Sequence, residues 1–202
     1  MDLENNHYTP AQDATRHAIM EASRDLFARF GYKKTTMEDI AMALRKGKSS
    51  LYYYFKNKEE IFQAVIDLES EMLHSKLLEV VKSGNDAASK LKNYVTVRME
   101  TVRKLENYQR VIKEDLYGGY DFLLPNRQKS ESMEEEFLQS ILDEGVATGI
   151  FQIKNTKTGA VGIATALRGM EIPLFRGVEN MDDFNSQLDN ILSILFYGVI
   201  KR

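Results

Sequence analysis

The chain has no cysteine and only three prolines in 202 residues. Without cysteine there is no disulfide, no thiolate nucleophile and no cysteine-bound zinc; the absence suits a reducing cytoplasm. So few prolines, and no alternating runs rich in Val, Ile or Thr, leave little to build strands and predict helices nearly throughout. No apolar run approaches the roughly 18 residues that span a bilayer. The polar opening MDLENNHYTP lacks the apolar centre of a signal peptide. The expectation is a cytoplasmic chain without membrane contact. There is no glycine-rich phosphate loop, and His7, His17 and His74 are scattered, with no metal-ligand spacing to a carboxylate or to one another. The run Glu134-Glu135-Glu136 reads as a solvated helix face. No enzyme, metal or cofactor is expected.

What is present begins with an ordinary apolar share of 43%, on a chain long enough to bury a core. The net charge is −3, but it is unevenly placed. From Lys33 to Lys58, seven cations (Lys33, Lys34, Arg45, Lys46, Lys48, Lys56 and Lys58) meet two anions, Glu38 and Asp39, so this segment is +5 and the rest −8. A basic patch on an acidic body fits a chain that reads DNA with one part and keeps the remainder away from it.

Thr9-Pro10-Ala11-Gln12 is a helix start: a Thr cap, Pro in the first turn, Gln at the third position. The helix runs to about Phe30, with Ile19, Ala22, Leu26 and Phe30 as its inner stripe, Phe27 beside it, and Gly31 as its stop. Thr35 or Thr36 caps a second helix, with Glu38 or Asp39 completing the capping box and Ile40, Ala41 and Leu44 facing inward. Arg45-Lys46-Gly47 is a turn in which Gly47 supplies backbone freedom. Lys48 to Phe55 is a third helix with Leu51 and Phe55 inward. Its other face carries Ser49, Ser50, Tyr52, Tyr53 and Tyr54. Two short helices joined by a tight turn, the second polar and exposed, make a helix-turn-helix.

Asn57 caps a long helix ending near Gly84, with Ile61, Val65, Leu68, Met72 and Leu73 on one side. Further helices are predicted over Asp86–Leu105, Tyr108–Tyr117, Arg127–Thr148, from Thr156 or Thr158 to about Phe175 near Pro173, and over Asp182–Ile200. Tyr120–Asn126 reads as a loop, rich in apolar residues. The fold class is all-α: a three-helix DNA-binding domain at 9–60, then a helical effector-binding and dimerisation domain at 61–202.

Ile19 to Tyr32, Thr36, Ile40-Ala41, Leu51-Tyr52-Tyr53-Tyr54-Phe55 and Lys58-Glu59-Glu60-Ile61-Phe62 together resemble the N-terminal domain of the tetracycline-repressor (TetR) family. The likeness runs from Thr15 to Phe62 in one register without gaps. One departure stands out: the family usually has Gly-Val where this chain has Arg45-Lys46, with its glycine displaced to Gly47. The resemblance places Lys48, Ser49, Ser50, Tyr52, Tyr53 and Tyr54 on the recognition helix. Hydroxyls and ammonium groups reach base edges and phosphates, although Tyr52 or Tyr54 could instead pack the small domain. Thr36 and Lys58, at helix starts, sit where a phosphate is favoured; Lys46 is a further phosphate candidate.

The resemblance also implies an effector held among the later helices. Tyr94, Met99, Tyr108, Tyr117, Phe122, Phe137, Ile141 and Met170 could line such a cavity, though spacing alone favours an ordinary helical core over a pocket. With few charges among them, the expected effector is small and apolar or aromatic, with Tyr120–Asn126 as its entrance. Val161, Ala164 and Leu167, with Leu188, Ile191, Leu195 and Val199, can build a symmetric contact between two copies. The reading is a homodimeric transcriptional regulator on pseudo-palindromic operator DNA, a repressor released by its effector. The rival is a helical lipid or ligand carrier in which the basic patch is incidental; such a carrier has no need of exposed Ser and Tyr between two capped helices.

Overall fold

In the computed structural model, residues 9–114, 120–175, 183, 184, 186–190, 192 and 193 are described. The chain divides into two compact units, Met1–Glu69 and Ser70–Arg202.

In the first unit, α1 spans Pro10–Phe30. The Thr9 backbone N–H donates to Gln12 Oε1 at 2.7 Å while the Gln12 N–H donates back to the Thr9 hydroxyl at 3.4 Å, the reciprocal box its spacing predicts. Gly31 ends the helix at φ 84°. The buried stripe differs from the predicted one by a step. Ile19, Met20, Ser23 and Phe27 are buried, whereas Ala22 and Leu26 are half-buried and Phe30 is 48% exposed. A serine holds the middle of this stripe because its hydroxyl donates to the Ile19 carbonyl at 2.6 Å, which removes the cost of burying it.

Helix α2 spans Met37–Ala43 and starts on Thr36 with Asp39 as the third residue. The turn after it corrects the expectation for Gly47. The Lys46 N–H donates to Ala41 O at 2.9 Å and the Arg45 N–H to Met42 O at 3.0 Å. These are the two bonds of a Schellman motif, and its left-handed residue is Arg45, at φ 53°. Gly47, at φ −74° and ψ 151°, is instead the extended N-cap of α3. Helix α3 spans Lys48–Tyr52 and is shorter than predicted. Tyr54 and Phe55 both donate to Leu51 O, at 2.9 and 3.0 Å, so the last turn tightens and stops. Leu51 and Phe55 are buried as expected.

Helix α4, Lys58–Val81, starts on Asn57, whose side chain accepts from the Glu60 N–H at 2.8 Å. Within the first unit its Ile61, Phe62 and Val65 are buried, and Phe62 meets Phe27 edge-on at 5.0 Å and Tyr32 at 4.8 Å. Each such side chain contributes about 1.5–3 kcal/mol by leaving water. The division between the units falls inside α4.

In the second unit the described helices are the rest of α4, α5 (Ala87–Val102), α6 (Glu106–Glu114), α7 (Leu124–Ala147) and α8 (Thr156–Phe175). Residues 183, 184, 186–190, 192 and 193 are also helical. Asp86 caps α5, accepting from the Ala88 and Ser89 N–H groups at 3.0 Å each. The expected Tyr120–Asn126 loop is a 3-10 turn, Asp121–Leu123, running straight into α7, with Pro125 in the first turn of that helix. Helix α7 packs on both α5 and α8. Leu73, Leu77, Leu91, Val95, Leu138, Leu142 and Leu167 lie in one buried cluster. Met72, expected inward, is 43% exposed. No described helix is long and apolar enough to cross a membrane.

Candidate nucleic-acid interface and effector core

The small unit presents α3 on a base of buried Leu51 and Phe55. Above that base, Lys46, Lys48 and Ser49 are exposed, Ser50 is half-buried, and Tyr52 and Tyr53 are 52% and 62% exposed. Tyr54 is half-buried and meets Tyr53 edge-on at 4.9 Å. Exposed rings at this level are unusual for a surface with nothing to cover. Tyr53 is also aimed: its hydroxyl accepts from Gln12 Nε2 at 2.7 Å. Spacing reads Gln12 only as a cap; the contact joins residues 41 apart in sequence and leaves no local signal.

The ammonium groups differ in what they hold. Lys48 Nζ pairs with Glu38 Oε2 at 2.6 Å, and that hydrogen bond raises its pKa. Lys58 is half-buried. Its Nζ donates to Tyr32 O at 2.8 Å and Thr35 O at 2.9 Å, and lies 4.3 Å from the centre of the Tyr32 ring. Burial lowers its pKa. Two of its three N–H groups thus tie the α1–α2 connection to the start of α4. Thr36 is similarly engaged: its hydroxyl donates to Asp39 Oδ2 at 2.6 Å and accepts from the Asp39 N–H at 3.2 Å. The Thr36 bonds hold the Asp39 carboxyl below its usual range.

Within the second unit, Tyr94, Met99 and Ile141 lie in the buried cluster, and Tyr108, Phe137 and Met170 pack against it. Phe122 is half-buried, its ring 6.2 Å from that of Tyr120. Tyr117 lies outside the described residues. The expectation that this region holds few charges needs correction. Arg98, Glu134 and Glu171 are all buried here, at most 2% exposed. Arg98 Nε donates to Glu134 Oε2 at 2.6 Å and Nη1 to Glu171 Oε1 at 2.5 Å. Glu134 is therefore not a solvated residue, although Glu136 beside it is exposed.

Burial works against the Arg98 charge, but Glu134 and Glu171 outweigh it and hold the guanidinium well above its ordinary pKa. Burial pushes the Glu171 carboxyl up against the pull of Arg98. Burial also raises the phenols of Tyr94 and Tyr108 and lowers His74. Sequence reasoning missed this triad; the one signal that could have pointed to it is a charge at core spacing in each stripe, Arg98 with Leu91, Tyr94 and Val95, Glu134 with Leu138 and Ile141, Glu171 with Ala164 and Leu167.

Of the stripe expected to join two copies, Ala164, Leu167 and Leu188 are already buried within their own unit, at 1%, 0% and 3% exposed. Val161 is 39% exposed, alongside exposed Gly162, Thr165 and Gly169 on α8. Ile191, Leu195 and Val199 lie outside the described residues.

Residues 19–65 match the family described as bacterial regulatory proteins, tetR family. The HTH-type transcriptional repressor KstR2 of Rhodococcus jostii (strain RHA1) is 28% identical over 148 residues, covering 71% of each chain. The HTH-type transcriptional regulator YhgD of Bacillus subtilis (strain 168) is 25% identical over 131 residues, 65% of this chain and 69% of its own. A crystal structure of a transcriptional regulator from Cytophaga hutchinsonii, 25% identical, superposes with a TM-score of 0.77 over 94% of this chain and all of its own. TetR-family members bind operator DNA and function as dimers. The capped helices, the buried Leu51–Phe55 base and the match over residues 19–65 agree: this segment is a helix-turn-helix domain of the tetR family, carried by a DNA-binding transcriptional regulator.

Proposed function

We propose that this regulator is a homodimeric repressor whose two copies of α3 enter successive major grooves of a pseudo-palindromic operator, about 35 Å apart. The observation that carries this is the exposed face of α3, where Ser49, Tyr52 and Tyr53 stand above buried Leu51 and Phe55. Tyr52 and Tyr53 offer rings to thymine methyls and hydroxyls to base edges or phosphates, and Ser49 and Ser50 reach either. Lys46, Lys48 and the remaining N–H of Lys58 bind phosphate, with Thr36 setting the start of α2. The exposed α8 face around Val161 and the segment after residue 182 join the copies. The chain acts in the cytoplasm, where operator DNA is reached.

The ligand is a small, largely apolar effector held in the second unit among Tyr94, Met99, Tyr108, Phe137, Ile141 and Met170, with Phe122 toward the entrance. Helix α4 belongs to both units, so an effector that displaces its distal turns alters the base from which α3 is presented. A coupling of about 1–3 kcal/mol changes operator affinity roughly 5–150-fold, and linkage makes DNA weaken the effector equally. The test is selection of bound fragments from genomic DNA, followed by anisotropy titration of the enriched fragment against a scrambled duplex over a salt series. Enrichment of sites with two-fold symmetry and a steep salt slope supports the proposal; fragments without symmetry, or equal affinity for both duplexes, would sink it.

A further inference from the structure

One guanidinium joins three helices of the second unit. Arg98 on α5 holds Glu134 on α7 and Glu171 on α8. A buried ionic cluster of this kind is poorer than apolar side chains of equal volume unless every proton and lone pair is met. Here two are not: Arg98 Nη2 and Glu171 Oε2 are buried and make no hydrogen bond. A guanidinium that meets a carboxylate squarely closes two parallel bonds. Of that pair only the Nη1–Oε1 rung is made. One donor and one acceptor, each a single bond from a carbon already fixed by the first rung, stay open beside the triad, where Tyr94 donates through its hydroxyl to the Glu134 carbonyl at 3.4 Å. Native interiors rarely leave such atoms unmet without a reason.

We propose that this open rung is the polar end of the effector site, taking a neutral group that accepts and donates through neighbouring atoms, a carboxylic acid or a primary amide on an apolar body. The carbonyl of that group accepts from Arg98 Nη2, and its O–H or N–H donates to Glu171 Oε2. This rests on the reading of the second unit as an effector domain and adds the head group to it. Because burial pushes the Glu171 carboxyl up, an acid effector shares one proton with Glu171, whereas an amide always donates.

The experiment uses the full chain and a matched series sharing one apolar body: decanoic acid, decanamide, methyl decanoate and decane. Calorimetry gives their affinities for the unmodified protein and for Glu171→Gln, whose melting curve is measured first. In that variant Arg98 Nη1 still requires an acceptor, so the side-chain oxygen keeps the first rung and the NH2 replaces Oε2 as a donor. The expected result is that acid or amide binds the unmodified protein about 10-fold or more tightly than the ester, which cannot donate; acid against amide tells the two sources apart. In Glu171→Gln the preference reverses toward the ester. A purely structural cluster would lose stability in the variant without changing this selectivity. Equal binding of ester and amide, an unchanged order in Glu171→Gln, or binding of none of the series overturns the proposal and leaves an ordered water as the occupant. If a compound of any other class binds and releases operator, the effector reading stands without this head group; if no ligand alters operator affinity, the effector reading fails too.

Discussion

Arg45 occupies a backbone position that disfavours it. At φ 53° it closes the Schellman turn between α2 and α3, where an L side chain costs about 1 kcal/mol relative to glycine. Arg45→Gly is therefore expected to raise stability by up to about 1 kcal/mol in chemical denaturation, and Arg45→Ala, which keeps the strain, to leave it within about 0.5 kcal/mol. Glycine stands next door at Gly47, where the backbone is ordinary and a Cβ would meet only Ser49 Oγ, at 3.6 Å. Lys58 shows the opposite economy, a surface-type residue used internally. Lys58→Met removes two ammonium-to-carbonyl bonds, and loss of about 1.5–3 kcal/mol is expected by the same measurement. Lys46→Ala should spare stability, weaken binding to all DNA alike and reduce the salt slope by about one phosphate contact.

At the scale of elements, caps were the most legible feature, because a cap is a contact between residues three apart. Thr9–Gln12, Thr36–Asp39 and Asn57–Glu60 form as their spacing dictates. Stripes were legible only where they were purely apolar. Ser23 and the triad of Arg98, Glu134 and Glu171 occupy core positions through partners on the preceding turn or on other helices. Periodicity counts residue types and is blind to such partners. The same holds for Gly145. It lies mid-turn in α7 without a positive φ, yet a Cβ there would come within 2.0 Å of the Phe151 ring, since the chain after Gly149 folds back so that the Phe151 N–H reaches Gly145 O at 2.9 Å. Gly145→Ala is expected to cost about 1–3 kcal/mol as overpacking. Adding Phe151→Leu should recover part of that loss, and a double-mutant cycle from melting curves measures the coupling.

For the whole molecule, the half-buried imidazole of His74 makes stability depend on pH. Its hydroxyl neighbour Ser130 lies 3.1 Å from Nε2, and burial lowers its pKa below 6.5. The folded state therefore holds fewer protons than the unfolded chain as pH falls below about 6.5, so His74 costs stability on acidification. In His74→Gln the fall in stability between neutral pH and the folded-state pKa should be shallower than in the unmodified protein; parallel curves would remove His74 from the account. Function at this scale rests on α3 reading DNA. The direct measurement is anisotropy titration of the selected operator fragment and a scrambled duplex with the unmodified protein and the Tyr52→Ala/Tyr53→Ala variant, at equal salt. Loss of about 10-fold or more on the operator, with scrambled-duplex affinity held within about two-fold, is the predicted result. Equal affinities of variant and unmodified protein for the operator would contradict it.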